Sequence, residues 1–184
     1  MQNDLRIESH RWQKDADSLI QESSLISGLS KFGTPDFTGS YKYQLMLDGD
    51  IDIYLITPNA NKKTAKHLID ELINQGFWNG YMLFDWVNFR RDYFPEAYYV
   101  GMKTDYKGHK WKVDIWVLDQ FPPTHKEYND WLEGHLNESN REIILRLKAA
   151  RKDKGWTVDG KTIYDAVIKE GISTIDDFEN RLLK

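Results

Sequence analysis

The sequence contains no cysteine among its 184 residues. It therefore has no disulfide framework and no thiolate ligand for a metal ion, and it must fold through packing alone. It also lacks any apolar run near the roughly 18 residues that a membrane helix needs, and no apolar signal-peptide core follows its polar N-terminus. We expect a soluble, cytoplasmic protein that has no membrane partner.

Positive charge is not in excess either. The 25 Lys and Arg residues stand against 29 Asp and Glu residues, which gives a formal net charge of -4. Proteins that bind duplex nucleic acid usually carry a basic stripe, so the composition does not favour a nucleic-acid partner, although a local patch is compatible with it. Hydrophobic residues make up 40% of the chain, which is enough for a core and excludes a disordered chain.

The apolar periodicity predicts an α+β fold. A period of 3.6 residues predicts helices over 11–30 and 62–75. Alternation of apolar and polar residues predicts strands over 50–56, 98–104 and 110–118, and the last two form a hairpin. We expect a mixed, mostly antiparallel sheet with helices on one face.

Proline and glycine mark where the predicted elements end. Gly33-Thr34-Pro35 is interpreted as a break in the chain. Phe121-Pro122-Pro123-Thr124 separates the mixed part from a region whose pattern is helical to the end. The helices expected in this region cover residues 126–152, 161–170 and 174–183. The sequence therefore predicts a sheet-bearing domain over 1–123 and a C-terminal helical region over 124–184.

Three aspartates have the same parity on the predicted strands. Asp50 and Asp52 alternate with isoleucines, so both point away from the core, with Cα atoms about 6.6 Å apart. Asp114 alternates with apolar residues in the same way on another strand. Neighbouring anions repel each other unless a divalent cation lies between them, and Mg²⁺ prefers carboxylate and phosphate oxygens. Such a pair also occurs on the wet face of ordinary edge strands, so it does not define a metal site alone.

Nine residues separate Gly39-Ser40 from Asp50, and this pair has the small residues and the hydroxyl that suit a phosphate. Over about residues 37 to 118 the chain resembles the DNA polymerase β-type nucleotidyltransferase superfamily. The resemblance lies in the Gly-Ser pair, the spacer, Asp50-Ile51-Asp52 and the later Asp114. The superfamily includes antibiotic nucleotidyltransferases, RNA-tailing enzymes and small adenylyltransferases. Within it, the chain resembles the small bacterial type, such as the antibiotic enzymes.

The resemblance implies an enzyme that uses two Mg²⁺ ions and a nucleoside triphosphate, taken to be ATP. Gly39 and Ser40 would hold the β- and γ-phosphates, and Asp50 and Asp52 would bind both metal ions. Asp114 would complete the second metal site and accept the proton of the attacking hydroxyl. The reaction would transfer a nucleoside monophosphate to a hydroxyl acceptor and release pyrophosphate.

The motif does not identify the acceptor of the transferred nucleotide. An antibiotic, a protein side chain and an RNA end all fit it, and the acidic composition and small size favour a small molecule. The spacer before Asp50 is bulky, where many superfamily members have a small-residue helix. Within the spacer, Lys42 is interpreted either as a triphosphate ligand or as an ordinary surface lysine. Lys112 and Trp116 share the face of Asp114, and each is interpreted either as a cleft residue or as part of an ordinary hairpin or sheet surface.

Two other functions are weighed against transfer. A nucleotide-binding module with this fold and no turnover is disfavoured by the intact aspartate trio. Gly155 to Thr162 also matches the P-loop pattern of nucleotide hydrolases, but a charged helical stretch precedes it where a P-loop requires a buried strand. The ordinary interpretation is a helix end at Gly155, a turn and a new helix start. The five histidines show no ligand spacing and are predicted to be surface or cap residues.

Overall fold

A computed structural model describes residues 2–92 and 94–183, and it has the α+β class that the sequence predicts. The helices of this described part are α1 (Gln2–Glu22), α2 (Leu25–Ser30), α3 (Gly39–Lys42), α4 (Lys62–Asn74), α5 (Pro123–His135), α6 (Glu138–Lys154), α7 (Gly160–Ile168) and α8 (Ile175–Leu182). The strands are β1 (Thr34–Thr38), β2 (Gly49–Ile56), β3 (Gly80–Asp85), β4 (Tyr98–Tyr106) and β5 (His109–Leu118).

The strands form one sheet in the order β1-β2-β5-β4-β3. Only the central pair of β2 and β5 is parallel among the described strands, and the other three pairs are antiparallel. The predicted mixed, mostly antiparallel sheet is therefore confirmed. Because β4 and β5 form the predicted hairpin, the chain returns to the middle of the sheet and places β5 directly beside β2.

Strand β1 corrects the interpretation of Gly33-Thr34-Pro35 as a simple break. The chain does turn at Gly33, but Thr34 already begins a strand that pairs with β2. Proline lacks a backbone N–H, so it is tolerated in a strand mainly at an edge, and β1 is an edge strand. Pro35 therefore hid a strand that the alternation alone did not reveal.

One face of the sheet packs against α1, α2 and α4. The alternating apolar residues of β2 and β5 meet the apolar stripe of α4, whose Leu68 and Leu72 are fully buried. Full burial of a leucine side chain stabilises the fold by about 2 kcal/mol. The polar residues of β2 and β5 therefore lie on the opposite face of the sheet.

Helix bounds differ from the prediction at two places. Helix α1 begins at Gln2 rather than near residue 11, and Ser24, with a φ of 54°, separates it from α2. The predicted helix over 126–152 is two helices, because Asn137 caps α6 in a box with Asn140. Polar N-capping residues inside an otherwise helical pattern end one helix and begin the next.

The C-terminal helices form a second apolar cluster, and the segment before β2 belongs to it. Tyr43, Leu45 and Leu47 pack there, against residues of α5 to α8. Arg141 of α6 donates a hydrogen bond to the carbonyl of Tyr43, and Lys148 donates one to the carbonyl of Leu45 over 2.5 Å. The helical region is therefore bound to the sheet-bearing part through residues 43–47.

The segment matching the P-loop pattern joins two helices and follows no strand. Gly155, with a φ of 69°, ends α6, and the side chain of Asp159 accepts a hydrogen bond from the backbone N–H of Thr162 at the start of α7. This geometry confirms the ordinary interpretation and contradicts a P-loop hydrolase. Over the described residues, none of the helices has the length and apolar character needed to cross a membrane.

Candidate active site

The three aspartates converge on the polar face of the central strands. In the parallel register Asp52 lies opposite Asp114, and Asp50 lies opposite Lys112. One carboxylate oxygen from each of the three aspartates can be chosen so that all lie within 4.8 Å of one another. The parity inferred from the sequence is thus confirmed, and it brings together side chains that are far apart along the chain.

The backbone of Gly39 runs directly against the carboxylate of Asp52. Gly39 begins α3 with a φ of 63°, and a Cβ atom built on it would lie 2.3 Å from Asp52 Oδ2. Only glycine fits this close approach and this left-handed backbone. The buried Ser40 follows at once, so the Gly-Ser pair lies beside the aspartates as the resemblance implies.

Burial and mutual repulsion disfavour the ionised aspartates. Burial, together with the charges of Asp50 and Asp114, raises the pKa of Asp52 to about 8. Burial also raises the pKa of Asp50, against the opposing attraction of Lys112. Three carboxylates held this close need positive charge to remain ionised at neutral pH.

The donor set fits Mg²⁺. All three side chains offer carboxylate oxygens, which are hard ligands. The Oδ1 atom of Asp50 is buried and has no hydrogen-bond partner among the described residues, although a buried acceptor normally has one. The nearest positive charge to this oxygen is the Lys112 ammonium at 3.3 Å, and a divalent cation would supply charge at the same place.

Each oxygen atom of the Asp114 carboxylate has one partner. Its Oδ1 atom accepts a hydrogen bond from the hydroxyl of Tyr99 over 2.7 Å, and its Oδ2 atom lies 2.7 Å from the ammonium of Lys112. The same ammonium lies 3.3 Å from Asp50 Oδ1. Lys112 is therefore an ion-pair partner of two of the three aspartates.

A cleft of about 700 Å³ opens beside Asp50 and Asp52, between the sheet and the C-terminal helices. It is lined by Thr38, Gly39, Ser40, Tyr43, Asp48, Asp50, Asp52, Tyr54, Trp116, Thr124, His125, Tyr128, Asn129, Leu132, Lys148, Arg151, Asp159, Gly160, Lys161 and Tyr164. Its cationic residues all come from α6 and α7. The volume lies in the range of typical small-molecule sites.

The structure places Lys42 outside this cleft lining. Its ammonium lies 3.9 Å from the carboxylate of Glu133, in accord with the surface interpretation. The positive charge that faces the cleft comes instead from Lys148, Arg151 and Lys161. None of the three was assigned to this site from the sequence, where Lys161 was considered only as part of the P-loop-like segment. Lys148 had a signal, because it lies four residues after the buried Ile144 and therefore on the apolar face of α6.

Lys148 is a buried cation at the base of the cleft. Lys148 is only 5% exposed. Burial lowers the pKa of its ammonium to about 8, although the negative charges of Asp48, Asp50 and Asp52 act in the opposite direction. Its ammonium has one hydrogen bond, to the carbonyl of Leu45. An ammonium has three donors, so Lys148 has donors available for an anionic ligand.

His125 corrects the prediction that the histidines are surface or cap residues. It lines the cleft, and its Nδ1 atom shares a hydrogen bond with the hydroxyl of Tyr54. Burial and the charge of Lys161 lower the pKa of His125, so its neutral form is favoured near pH 7. No local pattern indicated this role, because the contact joins residues from distant parts of the chain.

Aromatic rings extend from the aspartates across the sheet. Tyr99 lies 5.0 Å from Trp116 between ring centroids, and Trp116 lies 5.4 Å from Phe94. The series continues through Trp86 to the exposed Phe89. Trp116 is therefore both a wall of the cleft and part of a continuous chain of aromatic contacts, in which Tyr99 and Trp86 are buried.

Comparison with known proteins establishes the fold. No family model and no curated protein matches the chain. Solved structures do match. A complex of the non-canonical poly(A) polymerase GLD-2 with GLD-3 matches at 13% identity and a TM-score of 0.55, over 89% of this chain and 57% of that one.

Two further structures match similarly. The Cid1 poly(U) polymerase, with Mg and 3′-dATP bound, matches at 15% identity and a TM-score of 0.52, over 79% of this chain and 42% of that one. A GLD-2/RNP-8 complex matches at 10% identity and a TM-score of 0.52, over 91% of this chain and 64% of that one. The chain therefore shares the fold of the matched structures, and it spans 42% to 64% of the lengths of the matched chains.

Proposed function

We propose that this protein is a Mg²⁺-dependent nucleotidyltransferase that moves a nucleoside monophosphate from a nucleoside triphosphate to a hydroxyl and releases pyrophosphate. The observation that carries the proposal is the convergence of Asp50, Asp52 and Asp114, with oxygen atoms within 4.8 Å of one another. Nucleotidyl transfer needs carboxylates in this number and spacing, next to a cleft that accepts a triphosphate.

Asp50 and Asp52 would bind both metal ions, and Asp114 would complete the second site. When bound, the two ions lower the pKa of the attacking hydroxyl and stabilise the leaving pyrophosphate. Asp114 would also accept the proton of that hydroxyl, which is the role that the sequence resemblance implies. The hydrogen bond from Tyr99 holds the Asp114 carboxylate in one orientation for this role.

The triphosphate would lie in the cleft. Gly39 and Ser40 would hold the β- and γ-phosphates, and Lys148, Arg151 and Lys161 would neutralise the remaining negative charge. Lys42 is the weakest of the sequence-based candidates, because Glu133 is its nearest ion-pair partner and it does not line the cleft. ATP is the triphosphate proposed from the sequence resemblance.

The acceptor is proposed to be a small hydroxyl-bearing molecule, as the acidic composition and small size favour. An RNA end is the second candidate, and two observations support it. The matched structures include enzymes named poly(A) and poly(U) polymerases. The chain of aromatic contacts beyond Trp116 ends at the exposed Phe89, and the Arg91 guanidinium lies 4.5 Å from the centroid of the Phe89 ring. Both aromatic rings and arginine stack on bases.

Pyrophosphate release with Mg²⁺ and labelled nucleotides tests the proposal. The wild type should release pyrophosphate with a hydroxyl acceptor, and Asp50→Asn should reduce the rate by about a thousandfold, because metal binding and charge stabilisation are both lost. Asp70→Asn, an exposed residue of α4, is the matched control and should match the wild type. Lys148→Met should raise the KM for the triphosphate more than it lowers kcat.

The acceptor panel separates the remaining possibilities. Small hydroxyl compounds and short single-stranded RNAs are offered in parallel, and the labelled product identifies the acceptor. Triphosphate binding without pyrophosphate release across both panels would overturn the proposal, and it would favour a nucleotide-binding module without turnover.

A further inference from the structure

Lys112 lies where a cation is needed. It stands opposite Asp50 in the register of β2 and β5, and two positions before Asp114 on the same face of β5. Its ammonium lies 2.7 Å from Asp114 Oδ2 and 3.3 Å from Asp50 Oδ1. One positive charge therefore lies between two carboxylates that, under the proposed function, bind the same metal ions.

The oxygen atoms of these two aspartates leave a divalent cation little access while Lys112 stays. Asp114 Oδ1 is bound by Tyr99 and Asp114 Oδ2 by Lys112. Asp50 Oδ1 is buried without a hydrogen bond, so its nearby charge partner is the Lys112 ammonium. A metal ion that binds Asp50 Oδ1 or Asp114 Oδ2 competes directly with the ammonium for that oxygen.

Lys112 is able to leave. Its side chain is 39% exposed, so the ammonium can turn outward into water without leaving a buried unpaired charge. The Asp114 side chain is 13% exposed, and it cannot turn away from the group in the same manner. The lysine is therefore the mobile member of the ion-pair cluster.

We propose that Lys112 is an internal substitute cation that occupies part of the metal site and is displaced when a divalent ion binds. This inference rests on the metal site of the proposed function. Before metal arrives, the ammonium balances the clustered aspartates and keeps the strand pair stable. Because the metal ion must compete with it, Lys112 weakens metal binding in the absence of nucleotide and sets the metal concentration at which the site fills.

Titration of the nucleotide-free protein with Mn²⁺ by calorimetry tests the competition directly. Lys112→Met removes the ammonium and keeps the length of the side chain, and it should tighten Mn²⁺ binding about tenfold, because the ion no longer displaces a bound cation. Lys103→Met is the matched control, because Lys103 lies opposite Lys112 on β4. This substitution removes the same charge one strand further from β2. The control should change the affinity by less than about threefold.

Thermal unfolding gives a second readout that is independent of activity. Without metal, Lys112→Met should have a lower Tm than the wild type, because the clustered carboxylates have lost their partner. At saturating Mn²⁺ the two Tm values should coincide, because the ion then balances the same charges in both proteins. A lysine with only a structural role would leave the difference in place.

The outcomes distinguish this inference from the proposed function. Equal or weaker Mn²⁺ binding by Lys112→Met, or a Tm difference that persists at saturation, overturns the substitute-cation role and leaves the metal site standing. Absence of Mn²⁺ binding in the wild type and in Lys112→Met overturns both. If Lys112→Met does not fold, Lys112→Gln serves in its place, and the same affinity and Tm comparisons decide.

Discussion

The backbone of Gly39 passes so close to Asp52 that a Cβ atom at this position would lie 2.3 Å from the carboxylate oxygen Oδ2. Gly39 also has a left-handed φ of 63°, which is a second reason why this position favours glycine. This contact fixes the start of α3 against one of the three aspartates. A change at Gly39 therefore acts on the geometry of the site as well as on the backbone.

Gly39→Ala should lose triphosphate binding and destabilise the protein by more than the backbone cost alone. The positive φ costs an alanine about 1 kcal/mol, and the collision with Asp52 adds to it. Gly76→Ala is the matched control, because Gly76 has a φ of 71° and nothing within 4 Å of an added Cβ. Urea unfolding and nucleotide titration compare the two variants, and equal behaviour of both would show that the close contact has no effect.

Lys148 predicts a dependence of stability on pH. Its pKa is lowered to about 8 in the folded state, whereas an unfolded lysine titrates near about 10.4. Between these values the unfolded chain binds more protons, so the free energy of unfolding contributed by Lys148 rises as pH increases from about 8 to about 10. Below about pH 8 both states are protonated and this contribution no longer changes.

Urea unfolding of Lys148→Met across that pH range measures the contribution. The variant should lack the rise that the wild type has between about pH 8 and about pH 10. Lys152→Met, which changes an exposed lysine on the same helix, should keep the wild-type rise. Parallel pH curves for the wild type and Lys148→Met would contradict the burial of this charge.

Gly101 and Tyr99 should be energetically coupled. A Cβ atom at Gly101 would lie 2.5 Å from the Tyr99 hydroxyl, which donates to Asp114. Gly101→Ala must therefore displace the phenol, and Tyr99→Phe removes the atom that it meets first. Gly101→Ala should cost about 1 kcal/mol less in the Tyr99→Phe background than in the wild type.

A double-mutant cycle by urea unfolding measures this coupling. Gly80→Ala is the control, because the nearest atom to its added Cβ is a Lys103 carbon at an ordinary 3.4 Å. Its effect should add to that of Tyr99→Phe. Strict additivity for Gly101→Ala as well would mean that the glycine does not position the tyrosine.

Residues 1–123 expressed alone should not unfold cooperatively. Leu45 is fully buried against the helical region, and the carbonyls of Tyr43 and Leu45 accept hydrogen bonds from α6. Each large apolar side chain exposed by the deletion costs about 2 kcal/mol. Circular dichroism during urea unfolding measures this, with co-expression of 124–184 as the rescue. A sharp transition of the fragment alone would support the predicted division at residue 123 as one between independent domains.

The aspartate trio was accessible from the sequence because strand parity is a local property. Ile51 and Ile53, which alternate with Asp50 and Asp52, fix which side chains point away from the core, and Val113 does the same for Asp114. The parallel pairing of β2 with β5 was not accessible in this way. It depends on how the β4–β5 hairpin returns to the sheet, which no local pattern encodes.

The cationic side of the cleft was not predicted, because it depends on contacts between distant segments and not on a local pattern. Lys148 and Arg151 lie in the charged helix α6, which resembles a solvated surface, and Lys161 was considered only as part of the P-loop-like segment. Only the packing of α6 against residues 43–47 turns Lys148 inward, and that packing joins segments about a hundred residues apart. The strand β1 was missed because Pro35 is tolerated at a sheet edge and forbidden in a central strand.

The direct register of Asp52 with Asp114 has a consequence for the order of folding. The two residues are 62 positions apart along the chain (114 minus 52), so the site exists only after β5 has closed a long loop onto β2. Long-range pairings of this kind form slowly, since the entropy of loop closure is lost before the contacts are gained. An intermediate without this strand pair holds at most the Asp50 and Asp52 carboxylates together. Tight binding of a divalent ion is then a reporter that the central sheet of this chain is complete.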